Sequence, residues 1–250
     1  MLIVNADDLG GFVGATDAIA RCFDAGAISS GTMMVGMSDS RRAGEMAEAK
    51  HWPVGLHLNL TQPFDEGVVP RAHAERQGEL VTYFEDLRLR RRVPEIRPRI
   101  RRMVRDEIAF QLEQFEELVG SEPRHIDSHN HSHTCGVVLA QLPSNLPVRR
   151  TASKRGRLIA ARFVSTDRFM SFPDASAAGR AAQTETVELM VHPSFEDELP
   201  VLLSDSWHRD INQAQLGSFS DLEARPTKMH SALSALPIEP AAAFLTEWRI

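Results

Sequence analysis

A chain of 250 residues with 42% hydrophobic and 25% charged residues can bury a sizeable core, as one large α/β domain or two small ones. Its net charge of −6 gives no overall electrostatic reason to bind nucleic acid or an anionic membrane. The two cysteines, Cys22 and Cys135, are too far apart to read as a disulfide framework, and no apolar run is long enough to span a bilayer, so a cytoplasmic protein is expected.

The chain opens on a strand. Leu2 to Ala6 is a short aliphatic run with β-branched members that stops at Asp7-Asp8-Leu9-Gly10, the form of a buried parallel strand ending in a polar turn. Helical spacing follows from about Thr16 to Ala25 (Ala18, Ile19, Cys22, Phe23), with Gly26 as its stop. Ser30 to Met37 reads as a second strand, and Ser38 to Lys50 as a helix with Ser38 as candidate cap. From Val54 to Thr61 strict alternation sends Leu56, Leu58 and Leu60 one way and His57, Asn59 and Thr61 the other. Patterning then weakens, and 62–97 reads as a long inserted excursion over the mouth of the fold. Arginines crowd between Arg88 and Arg105; a solvated helix face explains them best, with an anion- or partner-binding patch as the minority alternative. Ile100 to Val119 is an amphipathic helix whose stripe is Val104, Ile108, Leu112, Phe115 and Val119, closed by Gly120.

The strongest signal comes next, in HIDSHNHSHT at 125–134. His125, Asp127, His129, His131 and His133 occupy every second position, so on an extended segment all five face one side. Four imidazoles and a carboxylate suit a packed core poorly, since each needs a polar partner there, but they suit a divalent metal. Beyond them, Val137 to Leu142 reads as a short helix ended by Pro143. The region 146–182 is hard to parse apart from two short strands around Pro147–Arg150 and Arg162–Ser165. Val187 to Val191 is a clear strand running into His192-Pro193, and helices are expected at Ser206–Leu216 and Ala241–Trp248. With no repeat and no linker, residues 1–250 read as a single domain.

Alternating strands and helices argue for an α/β fold with a mostly parallel sheet, a distorted (β/α) barrel. Catalytic groups on such folds gather at the carboxyl ends of several strands. Asp7 and Asp8 end the first strand, His57 lies on the third, Asp127 and His129 on the central one, and His192 after a late one. Singly, each has a plain structural explanation: a turn, a satisfied core histidine, a strand terminus. Together they supply a metal site with spare acid and base groups.

Four motifs, VNADDLG at 4–10, GLHLNLT at 55–61, HIDSHNHSHT at 125–134 and ELMVHPSF at 188–195, resemble in order and spacing those of YdjC-like (ChbG-type) carbohydrate deacetylases, from the first residue to about Arg209. The resemblance implies a barrel-like enzyme, a homodimer, that removes the acetyl group from N-acetylated mono- or oligosaccharides with a divalent metal, magnesium or zinc. By position it implies Asp8, His57 and His129 as metal ligands, Asp7 as base and His192 as general acid. His125, Asp127, His131, His133 and Asn59 then support the ligands or meet substrate, and Cys135 is a lesser candidate ligand. Adjacent aspartates on an extended chain point opposite ways, so a turn at the strand end, which Gly10 and Gly11 permit, is needed to bring both to one site. Leu9 departs from the family's usual Phe, Thr134-Cys135-Gly136 departs from its apolar residues and proline, and 146–182 matches little; these bear on the sugar rather than the fold. Two rival classes stay open: another metallohydrolase, such as a two-metal phosphoesterase, or a non-catalytic sugar- or metal-binding protein. The carboxylate pair with a spare histidine favours the enzyme.

Overall fold

Short aliphatic runs separated by longer crossover segments fold into parallel strands. The computed structural model describes residues 1–90 and 98–222, so the helix expected at 241–248 and Arg91, Arg92 and Arg97 lie outside the described residues. The strands are β1 (Leu2–Leu9), β2 (Ser30–Met33), β3 (Val54–Leu58), β4 (Ile126–Ser128), β5 (Arg168–Ser171) and β6 (Val187–Val191). They form one sheet in the order β4-β3-β2-β1-β6-β5, and every pairing is parallel. Helices α1 (Val13–Asp24), α2 (Ser40–Ala49), α3 (Arg71–Arg90), α4 (Pro98–Val119), α5 (Gly136–Leu139), α6 (Lys154–Arg162), α7 (Ala175–Ala181), α8 (Glu198–Leu202) and α9 (Asp205–Ile211) lie between and after them. The sheet curls into a half-barrel, as expected of a distorted (β/α) barrel. Beyond β4, Val148 adds a parallel bridge to Ile126, and its N–H donates to the Val164 carbonyl at 2.9 Å. No helix among the described residues is long and apolar enough to cross a membrane.

Register decides which side chains face inward. Ile3 pairs with Glu188, Asn5 with Ser30, Thr32 with Gly55 and His57 with Asp127, so the concave face collects polar groups. The alternate positions, Leu2, Val4, Ala6, Leu56, Leu58, Ile126, Val187, Leu189 and Val191, join Ile19, Ala43, Ile108, Phe115 and Trp207 in the main hydrophobic core. Each large apolar side chain buried there contributes about 1.5–3 kcal/mol, and this outer layer is what holds a polar inner layer in place.

Several expected boundaries move. The chain leaves the sheet after Met33, not Met37, and α2 starts at Ser40, whose hydroxyl accepts the Met37 N–H and donates to the Met34 carbonyl. The excursion holds a 20-residue helix, α3, with Gln77, Leu80 and Phe84 on its buried side; so narrow a stripe, beginning with a glutamine, leaves a weak hydrophobic period. No strand forms at Arg162–Ser165: α6, capped at its start by the Ser153 hydroxyl, ends at Arg162, irregular chain follows, and the true strand β5 begins at Arg168. The helix expected at Ser206–Leu216 ends at Ile211. The stripe of α4 holds, with Val104, Ile108, Phe115 and Val119 buried.

Gly55 on β3 faces His125 so closely that a Cβ there would collide with its imidazole and its carbonyl oxygen. Gly55→Ala should therefore lower unfolding free energy by roughly 1–3 kcal/mol through overpacking. Urea denaturation reads this directly, and an unchanged midpoint would refute the close packing.

Candidate active site

The two aspartates reach one site by a twist within β1 itself. Asp8 has φ 70°, and the β1–β2 register shifts between Ala6 and Leu9. A non-glycine residue in this left-handed region costs on the order of 1–3 kcal/mol, so its surroundings must hold it there. Gly10 (φ 81°) completes the turn that the sequence led one to expect, with its backbone packed against the Met34 carbonyl.

Asp8 Oδ1 lies 3.2 Å from His57 Nε2 and 3.3 Å from His129 Nδ1. The opposite ring nitrogen of His57 sits 2.7 Å from Asp127 Oδ1, which fixes the imidazole with Nε2 aimed at Asp8. Burial works against charge at both Asp8 and His57. The bonds and charges of His129 and His57 nonetheless hold Asp8 well below the carboxylate range, and those of Asp127, Asp8 and Asp7 hold His57 well above the usual imidazole value. One carboxylate oxygen and two imidazole nitrogens lie within 4.8 Å of one another, with Asp8 and His129 partly exposed. This donor set fits a small divalent cation with open positions for water and substrate.

Beneath this cluster lies a buried ionic layer. Arg149, fully buried, grips Asp7 with both terminal nitrogens (2.6 Å to Oδ2, 2.7 Å to Oδ1), reaches Asp127 Oδ2 at 2.8 Å, and meets Glu188 Oε1 through Nε at 2.6 Å. Asn5 donates to Asp7 at 2.9 Å and Thr32 to Asp127 at 2.9 Å. Burial would raise the Asp7 pKa, but Arg149, His57 and His192 pull it far below the ordinary range. Glu188 goes the other way: burial, with Asp127 and Asp7 nearby, outweighs Arg149 and pushes it up to about 8. One guanidinium facing three carboxyl groups leaves one of them protonated near neutral pH. Asp7, His57 and Asp127 also form a grouping of potential ligands, but the guanidinium already bonds both carboxylates, so a second cation there would meet a positive charge.

His192 follows β6. Its Nε2 is 3.9 Å from Asp7 Oδ2, its backbone N–H donates to Glu198 Oε2 at 2.6 Å, and its ring lies flat on Phe195. The remaining sequence candidates divide. The alternation read through 125–134 ends at Ser128, because a 3₁₀ turn over His129–Thr134 places Asn130 (φ 53°) and His131 (φ 50°) in left-handed conformations. The five groups therefore do not share one face. Asp127 and His129 enter the site as described. His125 points into the barrel below, stacked on Phe219 at 3.7 Å, and its burial keeps it neutral. His133 pins β4 to the neighbouring chain through Ser128 Oγ (2.7 Å) and the Arg149 carbonyl (3.1 Å). His131 packs edge-on to Phe169, its pKa lowered by burial to about 3. Asn59 does not meet the cluster: its carboxamide accepts the Thr61 and Gln62 N–H groups and donates to the Gln62 carbonyl. Its own backbone is gripped by Gln111 and Gln77, and Thr61 in turn accepts from Asn130. Cys135 is buried and belongs to neither ligand grouping among the described residues.

Arg149, Glu188, Thr32 and Asn5 were not found from the sequence. Glu188 and Asn5 left a trace, each a polar residue at an inward position of an otherwise aliphatic strand. Arg149 left none, being one of many arginines in a segment without period.

The family model described as YdjC-like protein matches residues 1–225. A chitooligosaccharide deacetylase of Proteus mirabilis is 29% identical over 89% of this chain and 98% of its own length. Another, of Serratia marcescens, is 30% identical over 89% and 99%. Among solved structures, an Enterococcus faecalis protein named for cellobiose-phosphate cleavage superposes with a TM-score of 0.65 at 22% identity, over 87% of this chain and 97% of that one, a likeness of fold.

Because Glu188 holds its proton in the folded state up to about pH 8, against 4.5 ordinarily, folding takes up a proton between those values. Its contribution to stability is therefore full below about pH 4.5 and declines as pH rises toward 8. Glu188→Gln keeps an acceptor for Arg149 and removes the titration. Its stability curve between pH 5 and 8 should be flatter than wild type by about 1 kcal/mol per pH unit. Parallel curves from denaturation across that range would reject the neutral Glu188.

Proposed function

We propose that this chain, which belongs to the YdjC-like family, is a metal-dependent carbohydrate deacetylase that hydrolyses the acetamido group of an N-acetylated mono- or oligosaccharide. The observation that carries this reading is the convergence of Asp8, His57 and His129 beside an independent acid–base pair, Asp7 and His192. The family match and the deacetylase relatives support it.

Asp8 Oδ1, His57 Nε2 and His129 Nδ1 would hold magnesium or zinc, which when bound polarises a carbonyl and acidifies water. Asp127 engages His57 Nδ1, leaving Nε2 for the ligand role. Arg149 fixes both oxygens of Asp7 and keeps it ionised, so Asp7 is an acceptor in one orientation, ready for the proton of the attacking water. The water oxygen joins the acetyl carbon, the C–N bond breaks, and the leaving nitrogen takes a proton from His192. Among the imidazoles of the four motifs, His57 and His129 face Asp8, whereas His125, His131 and His133 are held neutral by burial, which supports His192 as the donor. Arg149 also weakens the two-metal phosphoesterase alternative, since it already bonds the carboxylates a second ion would need. The accompanying expectations are a cytoplasmic homodimer, which a monomer mass from light scattering at high concentration would dispose of.

Metal uptake should release a proton: the charges of Asp127, Asp8 and Asp7 hold the His57 pKa well above the usual imidazole value, and an imidazolium gives up its Nε2 proton to coordinate. Affinity should rise about tenfold per pH unit below the His57 pKa. Titration calorimetry in buffers of different ionisation enthalpy measures the proton directly, and uptake with no proton released excludes a protonated His57 as a ligand.

The two aspartates should fail differently. Asp8→Asn loses the anionic ligand, so metal affinity should drop about tenfold or more, with activity partly restored by excess metal. Asp7→Asn and His192→Ala should keep metal near wild-type content and lose on the order of 10²–10⁴ in acetate release, on opposite limbs of the pH profile. Loss of metal from Asp7→Asn with retention in Asp8→Asn would reverse the assignment.

A further inference from the structure

Exposed apolar side chains scattered singly over a surface carry no message, but their position can. Among the described residues the exposed aromatic side chains are Phe12 (52%) and Phe195 (47%). Both stand at the mouth of the half-barrel. Phe12 lies four residues beyond Asp8 and immediately precedes α1, on extended backbone (φ −161°, ψ 165°). Phe195 lies three residues beyond His192, in the connection from β6 to α8. Since β1 and β6 are paired neighbours, the two loops adjoin, and Asp7 and His192 already meet across them.

Neither ring is loose. The Phe195 ring is stacked on the His192 imidazole, with centroids 4.8 Å apart and 9° between the planes. That contact covers one face, and the remaining surface accounts for its exposure. The Phe12 ring lies against Gly14, where a Cβ would stand 3.0 Å from Phe12 Cε2, so the glycine lets the ring lie down over the first turn of α1. One exposed ring stacked on His192, with a second exposed ring on the loop after the neighbouring strand, suits a ligand with flat apolar faces and a polar rim. A pyranose ring has that character, its C–H face meeting the negative face of the aromatic ring.

We propose that Phe195 and Phe12 form a stacking platform for the sugar rings of an N-acetylated oligosaccharide. Phe195, in contact with the proton donor, carries the ring that loses its acetyl group, and Phe12 carries the adjoining one. This rests on the deacetylase reading and adds to it the side chains that would hold two adjoining sugar rings. Phe195 also positions His192 through the stack.

The test uses the full-length, metal-loaded protein with N-acetylglucosamine trisaccharide, and the exposed Leu158→Ala as control. Phe12→Ala should raise KM about tenfold with kcat within about twofold. Phe195→Ala should raise KM and also lower kcat, with a displaced alkaline limb in its pH profile, where the donor must stay protonated, and Phe195→Tyr should restore both. Trisaccharide binding, followed by calorimetry on the same variants, should weaken in parallel. Unchanged KM and binding in both alanine variants, or an equal loss in Leu158→Ala, overturns the platform. A wild type that binds trisaccharide through Phe12 yet releases no acetate leaves the platform standing and overturns the deacetylase reading. Acetate release with unaffected variants does the reverse.

Discussion

Everything around the site depends on a single buried guanidinium. Arg149 carries one positive charge into a space shared by Asp7, Asp127 and Glu188, with no solvent to screen it. Removing one partner from such a cluster costs about 3–5 kcal/mol, because the charges left behind have nothing to face. The cluster is therefore a poor source of net stability but a strict specifier of geometry. Asp7 keeps one orientation because two nitrogens hold its two oxygens. Through Asp127, the same group also sets the ring of His57.

The architecture that allows this is a sheet with two opposite characters. Its outer face is aliphatic and packs under helices; its inner face is polar and just as buried. A small closed barrel with such an interior would have to satisfy every group internally. Here the curl opens toward the strand ends, where Asp8, His129 and His192 are partly exposed. Depth is thus ordered along the strands, with the ion pairs of Arg149 below and the partly exposed Asp8, His129 and His192 above.

What could be read from the sequence follows that division. The aliphatic positions of β1, β3 and β6 show up because burial against helices demands them, and the parallel α/β sheet follows. The motif residues at the strand ends could be found by their chemistry: Asp7, Asp8, His57, Asp127, His129 and His192 do converge. The alternation through 125–134 misled beyond Ser128 because spacing in sequence carries no sign of positive φ at Asn130 and His131. Arg149 stayed hidden because its meaning lies in partners 142 and 39 residues away, Asp7 and Glu188. α3 was missed because a stripe containing Gln77 looks polar, although that glutamine is buried by hydrogen bonding rather than by hydrophobicity.

That same glutamine explains how the excursion is attached. Gln77 of α3 and Gln111 of α4 both donate to the Asn59 carbonyl, and Asn59 ties its own loop, which reaches Asn130 beside His129 through Thr61. Alongside the buried Leu80 and Phe84, two amides thus tie α3 and α4 to the loop beside the candidate site. Lengthening the chain between them costs little in closure entropy, since that penalty grows only with the logarithm of loop length. The length of chain joining α3 to α4 is therefore free to change from one descendant to another, while the strand-end cluster stays put.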